Sequence, residues 1–124
     1  MKQSILSLLA LAVLACGPYQ KKDLIGKWQG VSVLEEGKPL DLDAGEITFA
    51  FYPNAGYTFT STLKYQEAGT FSIEGHLLYT RDTLHGNAEE KAVLIKNASR
   101  DSLVFSMKEN GKDRLLILKK MKRN

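Results

Sequence analysis

Disulfide bonds are absent from this chain, because its 124 residues include a single cysteine, Cys16. An exported protein that relies on disulfides carries an even set of cysteines. No cysteine follows position 16, so the rest of the chain has no catalytic thiol. The folded domain must therefore obtain its stability from a packed core, which is feasible for about 110 residues.

Metal-binding and catalytic side chains are also scarce. His76 and His85 are the only histidines, whereas a zinc site needs three or four ligands. Residues 41–46 begin like a calcium loop, but Tyr52 stands where a bidentate glutamate is needed. We therefore expect no enzyme activity, no metal and no cofactor.

Charge of one sign is not in large excess. The net charge is +3, and the basic cluster of the chain lies at residues 119–123. A nucleic-acid partner is not expected, because binding needs clustered basic residues on a recognisable module. The cluster is interpreted either as a solvated tail or as a segment attracted to an anionic membrane.

A long apolar run occurs only near the N-terminus. Residues 5–14 are almost wholly apolar, follow the positively charged Lys2 and are too short to span a bilayer. This pattern predicts a signal peptide at residues 1–15. Residues 13–16, Val-Leu-Ala-Cys, resemble the lipobox of bacterial lipoproteins. The resemblance implies that Cys16 is acylated, for example with palmitate, and anchors the protein to a membrane.

The lipobox resemblance also implies a domain organisation and a location. Residues 16–22 become a lipidated tether, and residues 23–124 form the folded domain. In bacterial lipoproteins an aspartate directly after the cysteine can hold the protein at the inner membrane, and this chain has Gly17 there. We expect a lipid-anchored protein of the bacterial cell envelope, at the outer membrane and facing the periplasm. The alternative is a plain signal peptide with an incidental cysteine.

After residue 25, short alternating strands replace any helical pattern. Apolar and polar residues alternate with period two, and Asn110-Gly111 is a strong hairpin signal. Strands are predicted at residues 26–34, 46–52, 57–65, 70–73, 76–81, 91–96, 102–108 and 114–120. Short sequential connections favour an all-β, antiparallel, up-and-down barrel of about eight strands, with a two-sheet sandwich as the alternative.

The triplet Gly26-Lys27-Trp28 opens the first predicted strand. With the order of hairpins and the basic residues after the last strand, it resembles the lipocalin-like group of calycin barrels over residues 23–121. The chain is shorter than most lipocalins, and we expect it to lack the helix that follows their last strand. The resemblance implies that Gly26 and Trp28 mark the closed floor of the barrel. It also implies that a cation packs over the indole, from among Arg114, Lys119, Lys120 and Arg123.

The resemblance further implies a small hydrophobic ligand inside the barrel. Bulky apolar residues fill the predicted inner face, so we expect a small pocket at the end opposite Trp28. The candidate ligand-binding residues are Phe49, Phe51, Tyr57, Phe59, Leu63, Tyr65, Phe71, Tyr79 and Phe105. The alternative function is a filled barrel that binds a protein partner through an outward apolar patch of Leu94, Leu116 and Leu118.

Overall fold

The computed structural model describes residues 18–86 and 89–122. The predicted leader at residues 1–15, the acylation site Cys16 and the basic residue Arg123 lie outside the described residues. No helix in the described part of the chain is long and apolar enough to cross a membrane.

Within the described residues, nine antiparallel strands form one sheet that closes on itself. They are β1 (Gly26–Glu35), β2 (Lys38–Pro39), β3 (Thr48–Phe51), β4 (Gly56–Thr60), β5 (Gln66–Glu74), β6 (Leu77–Asp82), β7 (Glu90–Ala98), β8 (Ser102–Glu109) and β9 (Lys112–Lys120). Strands β3 to β9 pair in chain order, and β1 pairs with both β3 and β9. Because β2 only extends the end of β1, the closed barrel has eight strands. The predicted up-and-down barrel is confirmed, and the two-sheet sandwich is wrong.

Short turns and two 3₁₀ segments connect the strands, and a third 3₁₀ segment precedes β1. Asn110 and Gly111 have φ angles of 53° and 78° between β8 and β9. Both residues therefore adopt the left-handed conformation that the predicted hairpin turn requires. The 3₁₀ segments are Lys21–Asp23, Ala44–Glu46 and Thr62–Lys64.

The predicted strand at residues 57–65 is wrong, because the chain reverses inside it. Strand β4 ends at Thr60, and Leu63 and Lys64 have φ angles of 62° and 61°. The chain then returns as β5, whose first residue, Gln66, pairs with Thr60. The reversal turns Leu63 out of the barrel, where it is 95% exposed.

The inner face of β6 also differs from the prediction, which placed Tyr79 inside the barrel. Phe71 of β5 pairs with Thr80, and Ser72 pairs with Tyr79. Because partners across two strands point to the same face, Tyr79 shares the outer face with Ser72. The inner face of β6 carries Leu78, Thr80 and Asp82 instead.

One end of the barrel is closed around Trp28, whose side chain is fully buried. The indole Nε1 donates a hydrogen bond to the Leu24 carbonyl over 2.9 Å. Of the described candidates for the packed cation, Lys120 lies over the ring, with Nζ 4.5 Å from the ring centroid. The same Nζ donates to the Ile25 carbonyl over 2.7 Å. Lys120 thus links the last strand to the segment that precedes the first.

Gly26 makes room for this arrangement. Its φ angle is +131°, and a Cβ atom there would lie 2.6 Å from Cε of Lys120. A side chain at position 26 would be strained and would also displace the lysine from Trp28. The glycine and the tryptophan of the opening triplet are therefore parts of one packing arrangement.

The described residues contain the whole barrel. Strand pairing begins at Gly26 and is complete at Lys120. The buried core extends from Leu24 to Leu118. A chain that starts at Gly17 therefore keeps every strand and every core side chain described here.

Candidate functional site

A cavity of about 500 Å³ lies at the end of the barrel opposite Trp28. The strand ends around it belong to β1, β8 and β9, which place Val33, Met107 and Arg114 in its wall. Its apolar lining includes Phe49, Phe59, Leu78, Val93 and Phe105. The cavity is the inner space that these side chains leave unfilled near the open mouth.

The nine candidate ligand-binding residues divide into three groups. Phe49, Phe59 and Phe105 line the cavity. The Phe49 ring contacts the other two, since its centroid lies 4.6 Å from that of Phe59 and 5.5 Å from that of Phe105. These three residues give the cavity its aromatic wall.

The second group lies in the packed core. Phe51, Tyr57 and Phe71 are buried but are not part of the cavity wall. Phe51 and Phe71 pack edge to face, with centroids 5.0 Å apart. They support the aromatic wall from the closed side.

The third group lies outside the cavity, which corrects its predicted position. Leu63 points into solvent from the turn, and Tyr79 lies on the outer face of β6. Tyr65 is 44% exposed, although its hydroxyl reaches back to the inner face. The reasons are the chain reversal before β5 and the register of β6.

A polar cluster in the cavity wall is centred on the carboxylate of Glu67, which is 5% exposed. The Tyr57 hydroxyl donates to Oε1 over 2.9 Å, and the Tyr65 hydroxyl donates to Oε2 over 2.7 Å. The Lys91 ammonium also donates to Oε2 over 2.7 Å. Thr80 lies in the same wall, opposite Lys91 on the adjacent strand.

These contacts fix the charges of the polar cluster. Burial raises the pKa of Glu67, but hydrogen bonds from Lys91, Tyr65 and Tyr57 outweigh it and hold the pKa below its ordinary value. The hydrogen bond to Glu67 raises the pKa of Lys91. Burial, followed by the bond to Glu67, raises the pKa of Tyr57. At neutral pH the Glu67 carboxylate therefore compensates the charge of the Lys91 ammonium, and the tyrosine hydroxyls beside them are neutral.

A second polar pair lies beside the mouth. The Asp82 carboxylate accepts from the backbone N–H of Leu84 over 2.9 Å and contacts Nδ1 of His85. Burial raises the pKa of Asp82, but hydrogen bonds from His85, Leu84 and Ala68 hold it below its ordinary value. The His85 ring stacks on Tyr65, with centroids 5.5 Å apart. The loop after β6 is thereby joined to the polar cluster.

Gly69 allows this pair to form. A Cβ atom at position 69 would lie 1.9 Å from the Arg81 carbonyl oxygen, so only glycine permits this approach of β5 and β6. This approach allows the backbone N–H of Ala68 to donate to Oδ1 of Asp82 over 3.4 Å.

In the part of the chain that the structure describes, no three His, Cys, Asp or Glu side chains are grouped to hold a metal ion. His76 lies at the closed end against Tyr19, far along the barrel from His85. In the acidic loop, the Asp43 carboxylate accepts from the Gly45 N–H over 3.1 Å, which is a turn contact.

The outward apolar patch is wrong in two of its three members. Leu116 and Leu118 point into the core, where they are 6% and 1% exposed. Leu94 does lie on the outer face, beside Leu77 of the adjacent strand. The register of β9 with β8 places Leu116 against Phe105 and Leu118 against Leu103.

Sequence reasoning missed the residues of both polar groups: Glu67, Thr80, Asp82, His85 and Lys91. A signal for Glu67 exists, because it lies four residues before Phe71, and residues an even number of positions apart on a strand share a face. The predicted strand begins only at residue 70, so it does not include Glu67. Lys91, which pairs with Glu67 from β7, has no comparable signal, because only the register between β6 and β7 brings it to the same wall.

The acid stability of the protein should depend on the polar cluster. Because the folded pKa of Glu67 lies below its ordinary value of 4.5, ionisation of Glu67 adds stability above pH 4.5. That stability is lost as the pH falls below 4.5 through the folded pKa. In urea unfolding at a series of pH values, Glu67→Gln should show a shallower loss of stability below pH 4.5 than the natural chain. Parallel profiles would contradict this role.

Comparisons with known proteins agree with the fold. A lipocalin-like protein from Bacteroides uniformis ATCC 8492 superposes with a TM-score of 0.60 at 17% identity, over 80% of this chain and 99% of that one. An uncharacterized protein from Bacteroides eggerthii DSM 20697 superposes with a TM-score of 0.55 at 12% identity, over 79% of this chain and 99% of that one. No protein-family model and no curated protein matches the sequence. The chain folds as a lipocalin-like β-barrel.

Proposed function

We propose that this protein is a lipid-anchored binding protein of the bacterial cell envelope that holds a small hydrophobic ligand in the open-end cavity and catalyses no reaction. The observation that carries this proposal is the aromatic cavity of about 500 Å³. Sites for small molecules usually measure about 300–1,000 Å³ and combine an apolar wall with a few placed polar groups. The three phenylalanines and the Glu67 cluster supply both elements.

The polar cluster narrows the chemistry of the ligand. Lys91 compensates the charge of Glu67 at 2.7 Å, and the other charged residues of the lining, Glu109 and Arg114, are also one acid and one base. The wall therefore has no net charge and attracts neither a strong anion nor a strong cation. The ligand is therefore an uncharged, mostly apolar molecule with one hydrogen-bonding group. Its apolar body packs against Phe49, Phe59 and Phe105, and its polar group faces Lys91.

The proposed location depends on the sequence before the barrel. The lipobox-like Val-Leu-Ala-Cys at residues 13–16 supports acylation of Cys16, and Gly17 supports the outer membrane, facing the periplasm. Mass spectrometry of the protein purified from its own cells should show acyl chains on Cys16. The Cys16→Ser variant should be recovered without them. If Cys16 is not acylated, the protein is exported without a lipid anchor, and the anchor is removed from the proposal.

Ligand binding is tested with N-phenyl-1-naphthylamine, an uncharged apolar probe that fluoresces when it is bound in an apolar site. The natural chain should bind it. Val93→Trp fills the cavity wall and should weaken binding by at least about tenfold, which corresponds to about 1.4 kcal/mol. Ala92→Trp is the matched control, because Ala92 is the neighbouring residue on the exposed outer face of β7. Equal effects of the two variants would contradict a cavity site.

The second candidate function is a protein-interaction lipoprotein. Leu77 and Leu94 favour it, since they form an exposed apolar pair on the outer face of β6 and β7. Native mass spectrometry of the protein from its own cells separates the two candidates. A bound small molecule supports the first candidate, whereas an empty barrel with a stable protein partner that Leu94→Gln releases supports the second.

A further inference from the structure

The charged residues of the described chain lie at the two ends of the barrel, and the strand segments between them carry none. The closed end consists of residues 18–27, 52–56, 74–77, 96–102 and 119–122. It holds eight Lys and Arg residues against three Asp and Glu residues, which leaves a net charge of +5. The barrel therefore has a strongly basic closed end.

The open end has the opposite charge. It consists of residues 35–47, 60–67, 81–86, 89–91 and 108–114. It holds seven Lys and Arg residues against eleven Asp and Glu residues, which leaves a net charge of −4. An anionic surface would attract the closed end and repel the mouth of the cavity.

The basic end also carries partly exposed side chains with large apolar parts. Tyr52 and Met121 are 39% and 40% exposed. They border a surface hollow that Lys27 and Lys122 also line. Tyrosine and lysine side chains place an apolar body and a polar tip at a boundary between water and lipid.

Both ends of the described chain reach this surface. The Tyr19 N–H donates to the Gly75 carbonyl, and the Met121 N–H donates to the Lys27 carbonyl. Cys16 precedes Tyr19 by three positions in the sequence, and even a fully extended chain spans only about 10 Å over three such steps. An acyl group on Cys16 would thus hold the basic end within about one Debye length, or about 8–10 Å, of the lipid headgroups.

We propose that the closed end of the barrel is a docking surface for the anionic phospholipid headgroups of a membrane. It holds the barrel upright, with the mouth of the cavity turned away from the bilayer. The docking proposal rests on the proposed function, because the orientation of the barrel in the cell depends on the anchor at Cys16. It also specifies that the ligand enters from the aqueous side.

Vesicle binding tests the charge of this surface without the anchor. Residues 17–124, which contain the whole barrel and no cysteine, should sediment with vesicles of equimolar phosphatidylcholine and phosphatidylglycerol, but not with phosphatidylcholine alone. Each basic residue near an anionic membrane strengthens binding by about fivefold. The triple variant Lys22→Gln, Lys27→Gln, Lys122→Gln should therefore weaken binding by about a hundredfold.

The matched control removes the same charge from the open end. The triple variant Lys38→Gln, Lys64→Gln, Lys112→Gln replaces three exposed lysines there and should retain binding within about twofold, because these residues face away from the vesicle. The proposal is overturned if the two triple variants bind equally, or if the natural barrel does not bind the anionic vesicles. If that failure occurs while Cys16 is acylated and N-phenyl-1-naphthylamine binds, the proposed function stands without the docking surface.

A fluorescent label reports the orientation. Gln20→Cys at the closed end and Gln66→Cys at the open end are matched exposed positions, and each gives residues 17–124 a single thiol. A nitrobenzoxadiazole label at position 20 should shift its emission to the blue on addition of the anionic vesicles, and the label at position 66 should not. A shift at position 66 alone would reverse the orientation and overturn the proposal.

Discussion

Replacing Trp28 with alanine should lower the free energy of unfolding by about 3–5 kcal/mol, as for other fully buried aromatic side chains. The substitution empties the closed end of the barrel and removes the partner ring of Lys120, whose Nζ lies 4.5 Å from its centroid. It also removes the Nε1 hydrogen bond to the Leu24 carbonyl. Because a domain of this size is stable by only about 5–15 kcal/mol, the loss should appear as a large fall in the melting temperature.

The control for Trp28→Ala is Lys120→Met. It keeps the indole and a long apolar side chain but removes the cation over the ring, which is worth about 0.5–2 kcal/mol, and its hydrogen bond to the Ile25 carbonyl. The alanine variant also loses the cation over the ring, and with it the packing of the indole and the Nε1 hydrogen bond, so it should be less stable than the methionine variant. An unchanged melting temperature for Trp28→Ala would show that the indole does not hold the closed end together.

Phe105→Ala should cost a similar amount, about 3–5 kcal/mol, and should also change ligand binding. Phe105 is fully buried, packs against Phe49 and Phe51, and lines the cavity. Its truncation removes a ring from the cavity wall and enlarges the space. The variant should bind diphenylhexatriene, which is longer than N-phenyl-1-naphthylamine, about tenfold better relative to that smaller probe.

Phe71→Ala separates the effect on stability from the effect on the cavity. Phe71 is buried, and its ring lies 5.0 Å from that of Phe51, but it is not part of the cavity wall. Its truncation should destabilise the barrel to a similar degree and leave the preference between the two probes unchanged. If both variants change that preference equally, the cavity wall does not select the ligand.

Patterns of alternation were sufficient to predict the barrel. Strand β3 carries apolar side chains at Phe49 and Phe51, and the Asn110-Gly111 turn sets the hairpin of β8 and β9. The Gly26-Lys27-Trp28 triplet indicated where the barrel begins. These features depend on residues close together in the sequence, so that local physics determines them.

Alternation failed where it continued through a turn. From Tyr57 to Tyr65 the sequence keeps a strand pattern, yet Leu63 and Lys64 adopt positive φ angles. Neither residue type favours that conformation, so no local signal reveals the turn. The pairing of β4 with β5 imposes it, because both strands must reach the same edge of the barrel.

Register was the second limit. In β9 the residues Leu115, Leu116, Ile117 and Leu118 are all apolar, and either phase is compatible with such a run. The pairing with Phe105 places Leu116 inside. The same limit hid Lys91, which meets Glu67 only because β7 is held at one offset beside β6.

The pairing of β1 with β9 also has a consequence for how the chain folds. Every other strand pairs with a neighbour that a short connection supplies, whereas β1 must find a partner near the far end of the sequence. Closing that loop costs more chain entropy than any single hairpin, so the seam between β1 and β9 should form late on the folding pathway. Until synthesis delivers β9, the edge of β1 that will meet it stays open and can pair with other chains. The strand that bears Trp28 is the first of the barrel strands to be synthesised and the last to complete its pairing.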